Sequence, residues 1–148
     1  MDNRGLEVRV KFELDVVEGF PPIGAEILIG AMEDSGLVRV DNTPFFVEGV
    51  AIGDMIKCAG RPPELDFVEL IEPSGNKSVS IIFIDSGYEN ILYNQLKGKG
   101  CYCEFGEFPE FNMLAISIDS KIAYRPIREL LDEAESAGRI SFAELCIA

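Results

Sequence analysis

The chain has 148 residues, 47% of them hydrophobic and 26% charged, with 26 acidic side chains against 13 basic ones and a formal charge of -13. That length holds one ordinary domain or two small ones, and the balance is that of a folded chain rather than a disordered one. A field of that sign disfavours binding to nucleic acid or anionic membrane, and no apolar run approaches the ~20 residues that cross a bilayer.

Residues 6–14 alternate, with Leu6, Val8, Val10, Phe12 and Leu14 on one side and Glu7, Arg9, Lys11 and Glu13 on the other. A period of two marks a half-buried strand. Gly19 and Pro21-Pro22 end it. Residues 25–32 read as a second strand, Glu33-Asp34-Ser35-Gly36 as a hairpin turn, and residues 37–41 as the returning strand. Gly53-Asp54 opens a strand over residues 55–59, Arg61-Pro62-Pro63 breaks it, and residues 65–71 make a fifth. Five short strands separated by turns predict a small curved antiparallel β-sheet or barrel.

The pattern changes after Glu72-Pro73-Ser74-Gly75-Asn76. Residues 79–84 form an apolar run suited to a central strand. Ser86 and Glu89 have the spacing of a capping box, and Tyr88, Ile91, Leu92 and Leu96 form one helical face that Gly98 or Gly100 stops. Residues 101–105 and 113–118 read as a strand pair. Pro126 suits a first helical turn, and Ile127, Leu130, Leu131 and Ala134 make a second stripe ending near Gly138. Residues 142–147 close with a strand. The order β-α-β-β-α-β is ferredoxin-like, so the fold class expected is α+β. The expected division is a barrel-like subdomain over 1–75 and a ferredoxin-like subdomain over 76–148, packed together through a short connection. The first has 15 acidic and 6 basic side chains and the second 11 and 7.

The block Asp41-Asn42-Thr43-Pro44-Phe45-Phe46, followed by Gly49 and Gly53-Asp54, is the most unusual stretch. Asp-Asn ahead of a proline favours a turn, and a barrel-closing turn with aromatic plugs is preferred over a ligand lip. With the later Pro73-Ser74-Gly75-Asn76, the block resembles an uncharacterised bacterial family, a domain of unknown function carrying D-N-x-P-F-F and a downstream S-G element. The resemblance covers nearly the whole chain and implies fold and bacterial origin, with no established reaction. The chain departs from the family pattern in lacking an early tryptophan, and in carrying Asn76 and Ser80 where histidine and arginine are common.

Cys101 and Cys103 lie one residue apart and would share a strand face; with Cys58 and Cys146 they could formally complete a four-thiolate zinc site. Buried thiols in the core are the preferred reading, so no metal and no cofactor are expected. Without histidine, Ser-His-Asp and Cys-His arrangements are impossible within one chain. No phosphate-cradling motif occurs, and the expectation is of a protein that is not an enzyme. The opening Met1-Asp2-Asn3-Arg4-Gly5 lacks the pattern of an export signal, and a cytoplasmic location is expected.

The stretch from Glu104 to Phe111 interleaves carboxylates and phenylalanines at the expected hairpin between the two middle strands. Glu104, Glu107, Phe108, Glu110 and Phe111 are the candidate partner-binding residues, with Phe108 the exposed anchor and the carboxylates steering a basic partner. Alternatively, Phe105 and Phe111 belong to the core. The function expected is that of an acidic protein-binding protein, an immunity or antitoxin protein occluding a basic, nuclease-like toxin domain. The alternative is a small-molecule-sensing module that binds its ligand in the ferredoxin-like half or the barrel.

Overall fold

Alternation along the first strands builds the first core. In the computed structural model, which describes residues 5–147, Val8, Val10 and Phe12 of β1 (Glu7–Glu13) point inward and the charged residues between them point out. The strands β2 (Ala25–Met32), β3 (Val38–Val40), β4 (Met55–Arg61) and β5 (Glu64–Glu72) follow, and the five close into a barrel around Val10, Leu28, Val40, Ile56 and Leu65. Gly30 lets β2 and β3 approach: a Cβ there would collide with a Val38 methyl carbon and sit 3.0 Å from the Arg39 carbonyl oxygen. The expected curved sheet or barrel is a closed barrel, antiparallel throughout except at its seam, where β1 and β5 run parallel and Arg9 pairs with Glu64. The reason is geometric. In an up-and-down series with an odd number of strands, the first and last point the same way, so closure is parallel.

The second half is ferredoxin-like. The strands β6 (Lys77–Phe83), β7 (Tyr102–Phe108), β8 (Phe111–Ile118) and β9 (Ile140–Cys146) form a sheet in the order β7-β8-β6-β9, every neighbour antiparallel. Helices α1 (Glu89–Gly98) and α2 (Arg125–Ser136) cover one face. Leu92, Leu96, Ile127 and Leu131 pack there against Val79, Ile81, Leu114 and Ile116. No helix among the described residues is long and apolar enough to cross a membrane. Residues 1–4, whose sequence bears on export, and residue 148 lie outside the described residues.

Two local expectations are corrected in the first helix. A 3-10 turn over Ser86–Tyr88 precedes it, capped by the Asp85 side chain, which accepts from the Gly87 N–H at 3.0 Å. The α-helix therefore begins at Glu89 with Tyr88 at its N-cap, so Ser86 is not the capping residue and the capping box does not form. Ile91 is half exposed, while Tyr88, Leu92 and Leu96, spaced four apart, take the buried stripe.

The connection between the halves is short and tied. The buried Asp54 carboxylate accepts from the Ala51 N–H at 2.9 Å, the Ser74 N–H at 2.8 Å and the Ser74 hydroxyl at 2.8 Å. Asn76 Nδ2 donates to the Ile52 carbonyl, and its Oδ1 accepts from the Ser120 N–H, each at 2.8 Å. The Gly53-Asp54 and Ser74-Gly75-Asn76 elements thus meet as one polar joint.

Candidate functional site

Register alone sorts the second sheet into two unlike faces. One cross-strand row aligns Glu104, Ala115, Ser80 and Ala143; the next aligns Gly106, Met113, Ile82 and Ser141. These rows, with Ser78 and Ser117 in the row beyond, face the barrel rather than the helices. Small residues there let the barrel's long 41–54 connection lie close against the sheet. Gly106 shows how close: a Cβ on it would stand 2.8 Å from the Phe45 ring.

The 41–54 connection is held from both sides. Glu26, on β2 and 8% exposed, accepts from the consecutive N–H groups of Phe45 at 2.7 Å, Phe46 at 3.0 Å and Val47 at 3.0 Å. A carboxylate satisfied by three amides is the arrangement that makes a buried negative charge tolerable. From the sheet side, the Ser78 hydroxyl donates to the Val50 carbonyl at 3.0 Å, the Thr43 hydroxyl to the Ile116 carbonyl at 3.3 Å, and the Gly49 N–H to the Leu145 carbonyl at 2.8 Å. The Asp41-to-Phe46 block therefore forms the seam between the halves, with Phe46 buried and Phe45 half-buried.

Beside this seam a cleft of about 550 Å³ opens between barrel and sheet. Its floor is Ser80, Ile82, Met113, Ser141 and Ala143 of the sheet. Phe12 and Phe67 of the barrel, stacked at 4.5 Å, form one wall, and Phe20, Phe45 and Phe46 form another. Ser80 is the exceptional residue. It is 4% exposed, and its hydroxyl has no hydrogen-bond partner among the described residues. The register explains why: its neighbours across the sheet are Ala115 and Ala143, which carry nothing that could reach it. Leaving a buried hydroxyl unpaired costs about 1–3 kcal/mol, and groups so left in a native fold are few. The volume lies within the ~300–1,000 Å³ typical of small-molecule sites, and the lining matches them in kind, mostly apolar with several phenylalanine rings and a few polar groups.

The acidic-aromatic hairpin is where the pattern placed it, turning through Pro109-Glu110 with Phe108 paired to Phe111. The expectation of Phe108 as an exposed anchor is corrected. Phe108 and Phe111 are half-buried and stack inward: Phe108 lies 5.9 Å from Phe45, 5.4 Å from Phe46 and 5.6 Å from Phe111, and Phe20 lies 6.4 Å from Phe111. They sit on the barrel-facing side, so the hairpin tip folds over the seam and its rings join those of the 41–54 connection in edge-to-face and tilted contacts. Phe105, on the opposite side, is 46% exposed and stacks on Tyr93 instead of entering the core. Glu107 and Glu110 are exposed, and Glu104 is half-buried, accepting from the Tyr102 hydroxyl at 2.7 Å. The five candidate residues thus share one hairpin but not one surface.

The thiols are separated in kind. Cys58 lies on the barrel, Cys101 and Cys103 on the helix side of the sheet, and among the described residues no group of three or more metal-ligating side chains is placed to hold an ion. Burial pushes the Cys58 thiol up to about 11, with Asp66 adding to it, and the Cys101 thiol up to about 11 against the pull of Lys99 and Lys97. Burial, then the neighbouring Cys101, takes Cys103 to about 12. Such thiols stay protonated near neutrality and are weak nucleophiles.

The residues that build the cleft went largely unread in the sequence. Ser78 and Ser80 alternate with Val79 and Ile81 on a central strand, and Ser117 and Ser141 recur on its neighbours. Hydroxyls at period two inside apolar strands mark a second, small-residue face, and that was the available signal. Glu26 had no local signal, since its three partners lie 19 to 21 residues away.

Comparison with known proteins supports the fold. A crystal structure titled as that of a hypothetical protein from Neisseria gonorrhoeae superposes with a TM-score of 0.75 at 22% identity, covering 96% of this chain and 94% of that one. No curated protein matches the chain. The family described as a domain of unknown function, DUF4265, matches residues 26–142, which run from the buried Glu26 through the seam and the cleft floor to β9, and the chain belongs to that family.

Proposed function

We propose that this protein is a small-molecule-binding module that takes a compact, largely apolar ligand into the cleft between barrel and sheet. One observation carries the reading: Ser80, whose buried hydroxyl has no partner among the described residues, lines a cleft of about 550 Å³ bordered by phenylalanine rings. A group of that kind is satisfied when a ligand supplies the missing hydrogen bond. A site formed by two packed halves also lets a ligand alter how they bear on each other, which suits a sensing role. Cys58, Cys101 and Cys103 stand outside any disulfide, which favours a reducing compartment, and we place the protein in the cytoplasm. The test is titration of the full chain with tyrosol, a neutral phenol of fitting size, followed by amide NMR. Shifts confined to the cleft floor, lost in Ser80→Leu, are the expected result. Absence of any shift at Ser80, Ile82 or Met113 at millimolar tyrosol overturns the reading.

The second reading is the acidic protein-binding protein, an immunity or antitoxin protein occluding a basic toxin domain. It is favoured by the edge strand β7, where Tyr102 and Phe105 are 45% and 46% exposed near Glu104 and Glu107. An edge strand with half-exposed rings and flanking carboxylates suits strand addition by a basic partner. Capture of a basic protein from native lysate that Phe105→Ser with Glu107→Lys abolishes supports it; capture unchanged by those substitutions removes it.

A further inference from the structure

We propose that the cleft selects a cation: an arylalkylamine with an ammonium at one end and a hydrogen-bonding group at the other. The inference rests on the ligand-binding reading above and adds the charge and the two-ended character of the ligand. The cleft's polar lining consists of three carboxylates, Glu13, Asp15 and Glu48, and the side chains of Ser80 and Ser141, with no lysine or arginine among the described residues. Glu13 is paired with Lys11 at 3.4 Å. Asp15 and Glu48 are exposed at the mouth and have no ion-pair partner among the described residues.

Each part of that lining discriminates. An anionic ligand would place its charge near Asp15 and Glu48, and Lys11, the cation beside Glu13, is already engaged by it. A neutral ligand would gain from the rings and the Ser80 hydroxyl but nothing from the carboxylates' charge. An ammonium group gains from the carboxylates by charge-assisted hydrogen bonds and from ring faces by cation–π attraction. The wider field acts in the same sense, because residues 1–75 carry 15 acidic against 6 basic side chains. The ammonium is assigned to the mouth, where water solvates whatever the carboxylates do not. The aromatic body lies on the rings, and the far polar group meets the unpartnered Ser80 hydroxyl on the floor.

Four probes test this in calorimetric titrations of the full chain. Tyramine has both ends, tyrosol lacks the charge, phenethylamine lacks the phenol, and 3-(4-hydroxyphenyl)propanoate reverses the charge. Tyramine is expected to bind tightest, on the order of tenfold above tyrosol at low salt and less at high salt, with the propanoate weakest. Asp15→Asn with Glu48→Gln should bring tyramine down to tyrosol while leaving tyrosol unchanged; both positions are exposed, so the fold is retained. Ser80→Ala should weaken tyramine and tyrosol but not phenethylamine. Tyrosol and tyramine binding within twofold of each other overturns the cation assignment while the ligand-binding reading stands. Silence of all four probes sinks both.

Discussion

The two faces of the four-stranded sheet are made from the same strands, one residue out of phase, and they do opposite things. Toward the helices, Val79, Ile81, Leu114 and Ile116 are fully buried and interlock with α1 and α2. Toward the barrel the same strands present Ser78, Ser80, Ala115 and Ser117. Large branched side chains fill space and leave none for a ligand. Small ones let backbone come close where a partner segment reaches them, as at the Ser78–Val50 contact, and leave a hollow where none does, as at Ser80. The contrast teaches that a cleft can arise from side chains that are short rather than from any that are special.

The sharpest way to break the contrast is to shorten the helix-facing side. Leu114→Ala should lose about 2–5 kcal/mol of stability in urea titrations followed by circular dichroism, because the cavity it leaves is enclosed on all sides. The seam comes next. Glu26→Ala strips three N–H groups, two of them buried and one partly so, of their acceptor and should cost about 3 kcal/mol, with Glu26→Gln recovering part through its remaining carbonyl oxygen. The two serines then separate function from packing. Ser78→Ala should cost about 1 kcal/mol, since the Val50 carbonyl loses its donor, whereas Ser80→Ala should leave stability unchanged or slightly raised. Equal losses at both positions would contradict an unpartnered Ser80.

Near neutrality the smallest effect is a pH dependence, which weighs on the helix side and on the barrel only in the alkaline range. Cys58, Cys101 and Cys103 have thiols raised from 9.0 to about 11, 11 and 12. A raised value means that the folded state holds its protons longer than the unfolded one. The stability this represents is fully present below pH 9 and is lost as pH rises through the folded values. The unfolding midpoint should therefore fall from about pH 9 upward, and Cys101→Ser with Cys103→Ser should flatten that fall. A midpoint constant to pH 11 would contradict the burial of these thiols.

Much of the fold was legible because it is written in local patterns. The alternation from Leu6 to Leu14, the turn at Glu33 to Gly36, the two helical stripes and the β-α-β-β-α-β order each depend on neighbours within a few residues. Short-range cues misled where a single residue decides the phase. The 3-10 turn at Ser86–Tyr88 displaced the helix start, and Ile91 fell outside the stripe. The hairpin illustrates the limit most clearly. Its turn was readable, but whether Phe108 points to solvent or to Phe46 depends on a segment 62 residues earlier in the chain.

By itself, then, the sequence determined the elements, their order, the acidity and the family pattern, because periodicity, turn chemistry and composition are properties of adjacent residues. Tertiary structure alone decided the parallel closure of the barrel, the three amides around Glu26, and the meeting of barrel rings with a serine-bearing sheet face. Those contacts join residues far apart in the chain, and only packing selects among the many that the same patterns would permit. The cleft belongs to that second class. Its floor and its walls come from different halves, and Ser80 lacks a partner only because Ala115 and Ala143 are what the register sets beside it.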